Sequence, residues 1–354
     1  MSLLLLCVAL LQEPSETLVL RGLVLRDPAV EPEEATVVLA GGRILKIAAE
    51  AEIPAGAKTL ALPKGAWIVP GFVDAHSHLG SAWEAEEPTE PLTPRVKAVE
   101  GFATRHPDVR DALASGVTRV AIAPGEGNVV GGRVGLVHLN GERYDRALQR
   151  DAAGLKASLG EETLRRDREP TSRGGALRLL RDFLRSAPLE GPLFVHASTE
   201  GEIRSALALK ADTGARIVLV HAREAAKAVD ALRAAGVAVA FGPLTPHDPL
   251  EILATPGLLA KAGVPVALIS DAPRTSEAQL RVAAILAVKA GMSTADALRA
   301  LTTTPASLFG LSCGELKEGA DADLVVWTGD PLSSASAAEL AVVKGRVTFR
   351  RESP

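Results

Sequence analysis

The chain has 354 residues, more than one ordinary core needs, and its 47% hydrophobic and 23% charged content is that of a folded soluble body, which excludes a disordered chain and a membrane bundle. The net charge is −4, and basic residues are scattered among acidic ones rather than gathered in a stripe, which argues against nucleic acid as a partner. Cys7 and Cys313 are the only cysteines, so no disulfide framework or thiolate zinc site is expected, and any metal must be held by histidine and carboxylates.

Residues 3–11 form an apolar run too short to span a membrane and about the length of a secretory h-region. No Lys or Arg precedes Arg21 and no clean small-x-small cleavage site follows. The balance still falls on residues 1–15 as a signal peptide, and on a periplasmic or secreted location rather than a cytoplasmic one. No other segment is expected to span a membrane.

From Thr17 to Ala66 the chain reads as short β elements, with Val37-Val38-Leu39 and Ile44-Leu45 flanking a Gly41-Gly42 hairpin turn. The pattern returns at 322–327 and at 341–349 around a Lys344-Gly345 turn. Residues 16–66 and 314–354 are therefore expected to build one composite β-sandwich domain from both chain ends.

Between them, strand-like apolar runs alternate with Ala-, Leu- and Arg-rich helical stretches such as 201–213 and 224–235. Such alternation predicts a parallel sheet with crossover helices. Eight strands are read at 66–73, 117–123, 134–139, 154–159, 193–196, 217–221, 237–241 and 265–270. The span 67–313 has the length of a closed eight-stranded α/β barrel, about 250 residues. The expected fold class is α/β, a (β/α)₈ TIM-type barrel with the small β-sandwich.

His76-Ser77-His78 follows the first of these strands. Residues i and i+2 of a strand point to one side, about 6.5 Å apart, so both imidazoles can converge on one ion. A lone His-x-His is more often a surface or hydrogen-bonded pair. Here, however, His196, His221 and Asp271 each end a further apolar strand, at the barrel face where such enzymes place their chemistry. Four of the seven histidines thus sit at strand ends.

Val69-Pro70-Gly71-Phe72-Val73-Asp74-Ala75-His76-Ser77-His78 resembles the first-strand signature of the amidohydrolase superfamily, and Gly319-Ala320-Asp321-Ala322-Asp323-Leu324-Val325-Val326 resembles its sandwich-return motif. Further likeness runs through 111–118 and 297–311. The Gly125-Glu126-Gly127-Asn128-Val129-Val130-Gly131-Gly132 loop is similar to that of the imidazolonepropionase-like group. The resemblance implies a divalent metal held by His76 and His78, with His196, His221 and Asp271 completing the site from the fifth, sixth and eighth strands. It also implies one or two ions, with Zn²⁺ as the first candidate and Fe²⁺, Mn²⁺ or Co²⁺ served by the same ligands.

A metal lowers the pKa of bound water and polarises a carbonyl, and Asp271 is placed to move the proton. His221 would ligate a metal or hydrogen-bond the developing oxyanion. The family's fourth-strand metal bridge, a carboxylated lysine or a glutamate, has Lys156 as its candidate here and Glu161 as a weaker one, set against an ordinary exposed lysine. Arg133 and Arg173 could each hold a substrate carboxylate, though solvated arginines read as well, and His138 could reach the site from the third strand or serve as a hydrogen-bonded structural histidine. The glycine loop lacks the Gly-Lys-Ser/Thr of a phosphate loop.

The expected function is hydrolysis of an amide, lactam or N-acyl C–N bond in a small-molecule substrate. A deaminase on the same scaffold and a catalytically silent binding module are the alternatives. Homo-oligomer formation is open.

Overall fold

The computed structural model describes residues 16–81, 85–141, 143–186 and 189–352, and the expected signal peptide at 1–15 lies outside them. The first five strands are β1 (Leu18–Val24), β2 (Glu33–Ala40), β3 (Arg43–Ala48), β4 (Lys58–Thr59) and β5 (Trp67–Pro70). The next eight are β6 (Phe72–Ser77), β7 (Val117–Ile122), β8 (Val130–His138), β9 (Leu148–Ser158), β10 (Leu193–His196), β11 (Ile217–His221), β12 (Ala238–Phe241) and β13 (Val266–Leu268). The last three are β14 (Leu324–Trp327), β15 (Ala338–Val343) and β16 (Arg346–Arg350).

The chain ends share one sheet in the order β16-β15-β14-β5-β1-β2-β3, with β4 beside β1. Gly41 and Gly42 take φ of 58° and 73° at the β2–β3 turn, and Lys344 and Gly345 take 51° and 73° at the β15–β16 turn. Two successive positive φ values match the twist of the flanking strands, which is why Gly-Gly and Lys-Gly close these hairpins. Leu20, Val37, Leu39 and Ile44 from one end pack with Leu324, Val326 and Val342 from the other in a single core. The segment expected as the first barrel strand is divided. Trp67–Pro70 pairs with β1 and β14, and the barrel begins only at Phe72.

Strands β6 to β13 are neighbours in sequence order. The ring closes at the mouth, where His78 N donates to Ala272 O at 2.7 Å and Asp271 N to His76 O at 3.4 Å. Along β11 the residues alternate, Ile217 and Leu219 facing the helical layer and Val218 and Val220 the barrel interior. Phe194 of β10 stacks on Phe309 inside the barrel, ring centroids 5.2 Å apart.

Helices cross over where the sequence places them, at Glu200–Thr213 and Val229–Ala235 among others. The first of these is set by a capping box between Thr199 and Glu202 and stopped by Gly214 at φ 71°. The architecture is therefore a TIM-type barrel carrying a β-sandwich made from both chain ends.

One barrel strand departs from the expected pattern: β8 runs antiparallel to both β7 and β9. The link from Ile122 to Val130 is shorter than the dozen or so residues a parallel crossover needs, so the chain can only turn back. Consequently the start of β8 and the loop before it lie at the mouth, while His138 at its end lies at the opposite pole.

Candidate metal centre

His76 follows Ala75 on β6, His196 ends β10, His221 ends β11 and Asp271 follows β13 by three residues. All are buried, as is His78. His76 Nδ1 and His221 Nε2 each stand 3.3 Å from Asp271 Oδ1, and His78 Nε2 stands 3.6 Å from it. His196 Nδ1 is 2.6 Å from His221 Nδ1. The six candidates from the sequence, Lys156 included, are thus brought together at one end of the barrel.

Two of these residues reach the centre through backbone that side chains normally avoid. His221 has φ 67° and Asp271 φ 57°. Left-handed backbone costs a non-glycine residue about 1–2 kcal/mol, and such outliers collect at functional sites. Val220 faces the barrel interior, so an extended His221 would point into the helical layer. The positive φ turns its ring to the mouth.

The ring nitrogens are prepared as donors of lone pairs. His78 Nδ1 donates to Ala123 O at 2.7 Å, which leaves Nε2 unprotonated toward Asp271. Burial, with Lys156 nearby, pulls His76 down to about 3, and burial with His221 beside it does the same to His196, so both are neutral imidazoles at pH 7. Burial alone would raise Asp271, but contacts with His221, His76 and His78 outweigh it and hold the carboxyl well below the usual range.

His76 Nδ1, His221 Nε2 and both Asp271 oxygens are buried yet make no hydrogen bond of good geometry. Close contacts between lone pairs without hydrogen bonding, at neutral imidazoles and an ionised carboxylate, fit a divalent cation. Among the described residues, two groups of donor atoms lie within 4.8 Å of one another, His76, His78, Glu126 and Asp271 in one and Glu126, His196 and His221 in the other.

Beneath the centre, Asp74 accepts hydrogen bonds from His76 N at 3.0 Å and Ser270 N at 2.9 Å, tying β6 to the end of the eighth strand. Glu277 accepts from Ser77 Oγ at 2.7 Å. Burial pushes Asp74 up to about 6, and burial together with Asp74 raises Glu277 well above its ordinary value.

Lys156 is fully buried, so it is not the exposed lysine that the sequence also allowed. Its Nζ touches His76 Nε2 and lies 3.1 Å from Glu126 Oε1. Glu161 is exposed in a short 3₁₀ turn. Arg133 donates to Pro94 O, and Arg173 pairs with Glu202, so neither reaches the centre. His138 stands 3.7 Å from Asp323 at the far pole.

Glu126 is the member of the site that the sequence reading missed. Its signal was a single acid in a loop otherwise of Gly, Pro and Asn, directly after an apolar strand. Arg274, three residues beyond Asp271, faces both carboxylates, its Nε 3.1 Å from Asp271 Oδ2 and its terminal nitrogen 3.6 Å from Glu126 Oε2.

No helix among the described residues is long and apolar enough to cross a membrane. A model of the Amidohydrolase family matches residues 195–349, the part of the chain that carries His196, His221 and Asp271. The chain is 26% identical to the imidazolonepropionase of Thermoplasma volcanium over 83% of this chain and 84% of that protein. It is 23% identical to the amidohydrolase tasK of Hapsidospora irregularis over 81% of this chain, and spans 37% of that protein's length. The solved structure of an amidohydrolase from Thermotoga maritima MSB8 is 30% identical, with a TM-score of 0.86 over 94% of this chain and 100% of that one. Fold, strand-end donor set and likeness along nearly the whole chain agree: it belongs to the amidohydrolase family of hydrolases.

Proposed function

We propose that this chain is a metal-dependent hydrolase that cleaves a carbon–nitrogen bond in a small amide, lactam or N-acyl compound. The observation that carries the reading is the convergence of His76, His78, His196, His221 and Asp271 from separate strands, with buried donor atoms that no hydrogen bond satisfies. These five residues would hold a divalent ion, Zn²⁺ first among the candidates. Such an ion supplies acidification of water and polarisation of the scissile carbonyl.

The remaining chemistry belongs to the protein's own groups. Asp271, ionised and 1% exposed, takes the proton of the attacking water at a carboxylate oxygen and returns it to the leaving nitrogen. His221, its Nε2 3.3 Å from the same carboxylate, would hold the ion beside it. The left-handed backbone at both residues fixes their approach before substrate arrives, which lowers the reorganisation needed in the transition state.

The test is metal analysis of the parent beside His76→Ala under chelator-free handling, followed by a screen of N-acyl amino acids and cyclic amides. One or two ions per parent chain, lost in the variant together with turnover, supports the reading. A parent that takes up no metal even when supplied with Zn²⁺, Mn²⁺ or Co²⁺ sinks it.

A further inference from the structure

The donor groups of the centre are buried, so a molecule that reaches them has to pass the rim of the mouth. Arg274 stands on that rim. Its backbone N donates to Asp271 O at 3.0 Å, closing a turn directly after Asp271, and Thr275 Oγ1 donates to Ser270 O at 2.5 Å beside it. Within the same turn Ala272 O accepts from His78 N at 2.7 Å, so the segment that carries Arg274 is tied to the first strand as well as the eighth. The side chain is 65% exposed and covers both carboxylates from the solvent side, Nε 3.1 Å from Asp271 Oδ2 and a terminal nitrogen 3.6 Å from Glu126 Oε2. Neither oxygen of Asp271 receives a hydrogen bond of good geometry, so this contact is one of charge and the fork of the guanidinium is not locked in it.

We propose that Arg274 selects the substrate of this site by pairing with a carboxylate close to the scissile bond, so that the substrate class is an N-acyl amino acid or a cyclic amide bearing a carboxylate. The inference rests on the metal-hydrolase reading above and narrows its substrate. A guanidinium in a protein is always charged, and its planar fork of five N–H donors matches a carboxylate at two points. Asp271 and Glu126 would repel an incoming anion, so a carboxylate substrate needs a cation on the rim, where Arg274 is. Position also sets the reach. With the reacting carbonyl beside Asp271, an anion that meets this guanidinium lies roughly one residue along from the bond that breaks, as it does in an N-acyl α-amino acid.

The arginines that the sequence offered for a substrate carboxylate are engaged elsewhere, Arg133 with Pro94 O and Arg173 with Glu202. Two more arginines on loops near the mouth hold those loops together. Arg168 donates to Pro88 O at 3.0 Å, Gly127 O at 3.2 Å and Asn128 Oδ1 at 2.8 Å, and Arg223 pairs with Asp248. Arg274 differs from these four in facing the centre itself.

The experiment compares N-acetyl amino acids with their neutral N-acetyl amino-acid amides, over small, apolar and charged side chains, on the zinc-loaded parent, Arg274→Gln and Arg274→Lys. Acetate release gives kcat and KM, thermal-shift titration gives the affinity of compounds that are not turned over, and elemental analysis gives the metal content of each protein. The parent is expected to favour the carboxylate over the amide by about tenfold in KM or affinity, the low end for a charge-assisted contact because the guanidinium is mostly exposed. Arg274→Gln should lose that preference and Arg274→Lys should keep part of it. A role confined to balancing the charge of Asp271 and Glu126 would move carboxylate and amide together, and that result overturns the inference. So does a metal-loaded parent without the preference, a measurement that needs no variant, or a preference that survives in Arg274→Gln. A parent that takes up no metal and releases no acetate from either series overturns the hydrolase reading instead.

Discussion

Asp323→Asn should destabilise the protein through a side chain far from the metal centre. Arg119, on β7, is fully buried and donates to Asp321 Oδ2 at 3.0 Å and to Asp323 at shorter range. His138 adds no positive charge there, because burial, with Arg119 nearby, pulls it down to about 4. Asp321 keeps a second cation in Arg43, 2.9 Å away, whereas Asp323 stands 1% exposed against Arg119.

Removing one partner of a buried pair costs about 3–5 kcal/mol, because the other charge is left stranded. Asp321 remains, so the lower end, about 3 kcal/mol, is expected for Asp323→Asn. At about 2.1 cal/mol/K per residue of unfolding entropy, that lowers Tm by about 4 °C in this chain. Arg119→Met should cost a similar amount by leaving two buried carboxylates facing each other. The double variant should cost less than the sum by about 1–3 kcal/mol, since it deletes the pair together. Thermal and urea melts of the four proteins form the cycle. Strictly additive costs would refute the claim that this cluster is an interdependent tie between barrel and sandwich.

Glu277→Gln should stabilise the protein in a pH-dependent way. Asp74 is raised to about 6 and Glu277 well above its ordinary value, so the stability their protons contribute is present below the ordinary carboxylate range, about pH 4, and is lost as pH rises through the folded-state values. The variant's stability advantage should therefore be small at pH 4 and grow as pH rises to 8; an equal advantage at both pH values would contradict it. Asp271→Asn should lower kcat by about 10²–10⁴ through loss of the proton acceptor, read in any substrate assay, and a variant with parental kcat would remove Asp271 from that role. His221→Gly should be more stable than His221→Ala in metal-free melts by about 1 kcal/mol, reversing the usual order within a strand, because φ 67° penalises any Cβ.

Much of the site was legible because each barrel strand that carries chemistry is an apolar run ending on a histidine or aspartate. The buried strand body responsible for the run and the strand end at the barrel mouth responsible for the ligand are both written into the order of residues. The direction of β8 was equally present, in the short link after Ile122, but apolar runs reveal where strands lie and not which way they point. His138 could be read either as reaching the site or as a structural histidine for that reason, and the structure gives it the second role beside Asp323. Lys156 was ambiguous because only barrel geometry, with Leu155 and Ala157 in the helix-facing core, turns it inward. Glu126 escaped notice because its role depends on Lys156, thirty positions away in the chain. The division at Pro70–Gly71 depends on Gly71 N donating to Asp323 O, a contact across the whole chain, and on Thr118, which a Cβ at Gly71 would meet at 2.2 Å.

The stabilising and the strained parts of the molecule lie at opposite ends of the same strands. At the bottom, Arg119, Asp321 and Asp323 tie β7 to the returning chain end, and Phe309 fills the barrel beneath Phe194. At the mouth, His221 and Asp271 sit in left-handed backbone, two carboxyls share a buried space below them, and several donor atoms lack hydrogen-bond partners. Each of these mouth features lowers the stability of the metal-free chain. A barrel offers this separation because its side chains pack in layers along the axis, so strain in the top layer is borne by those beneath. The closure between the first and eighth strands is where the two demands meet: Asp74 accepts from both His76 N and Ser270 N, fixing the backbone of a ligand on each side of the seam. A change at Asp74 would thus loosen the barrel and misplace His76 and Asp271 together, which makes this buried carboxyl the point at which folding and metal-site geometry are the same problem.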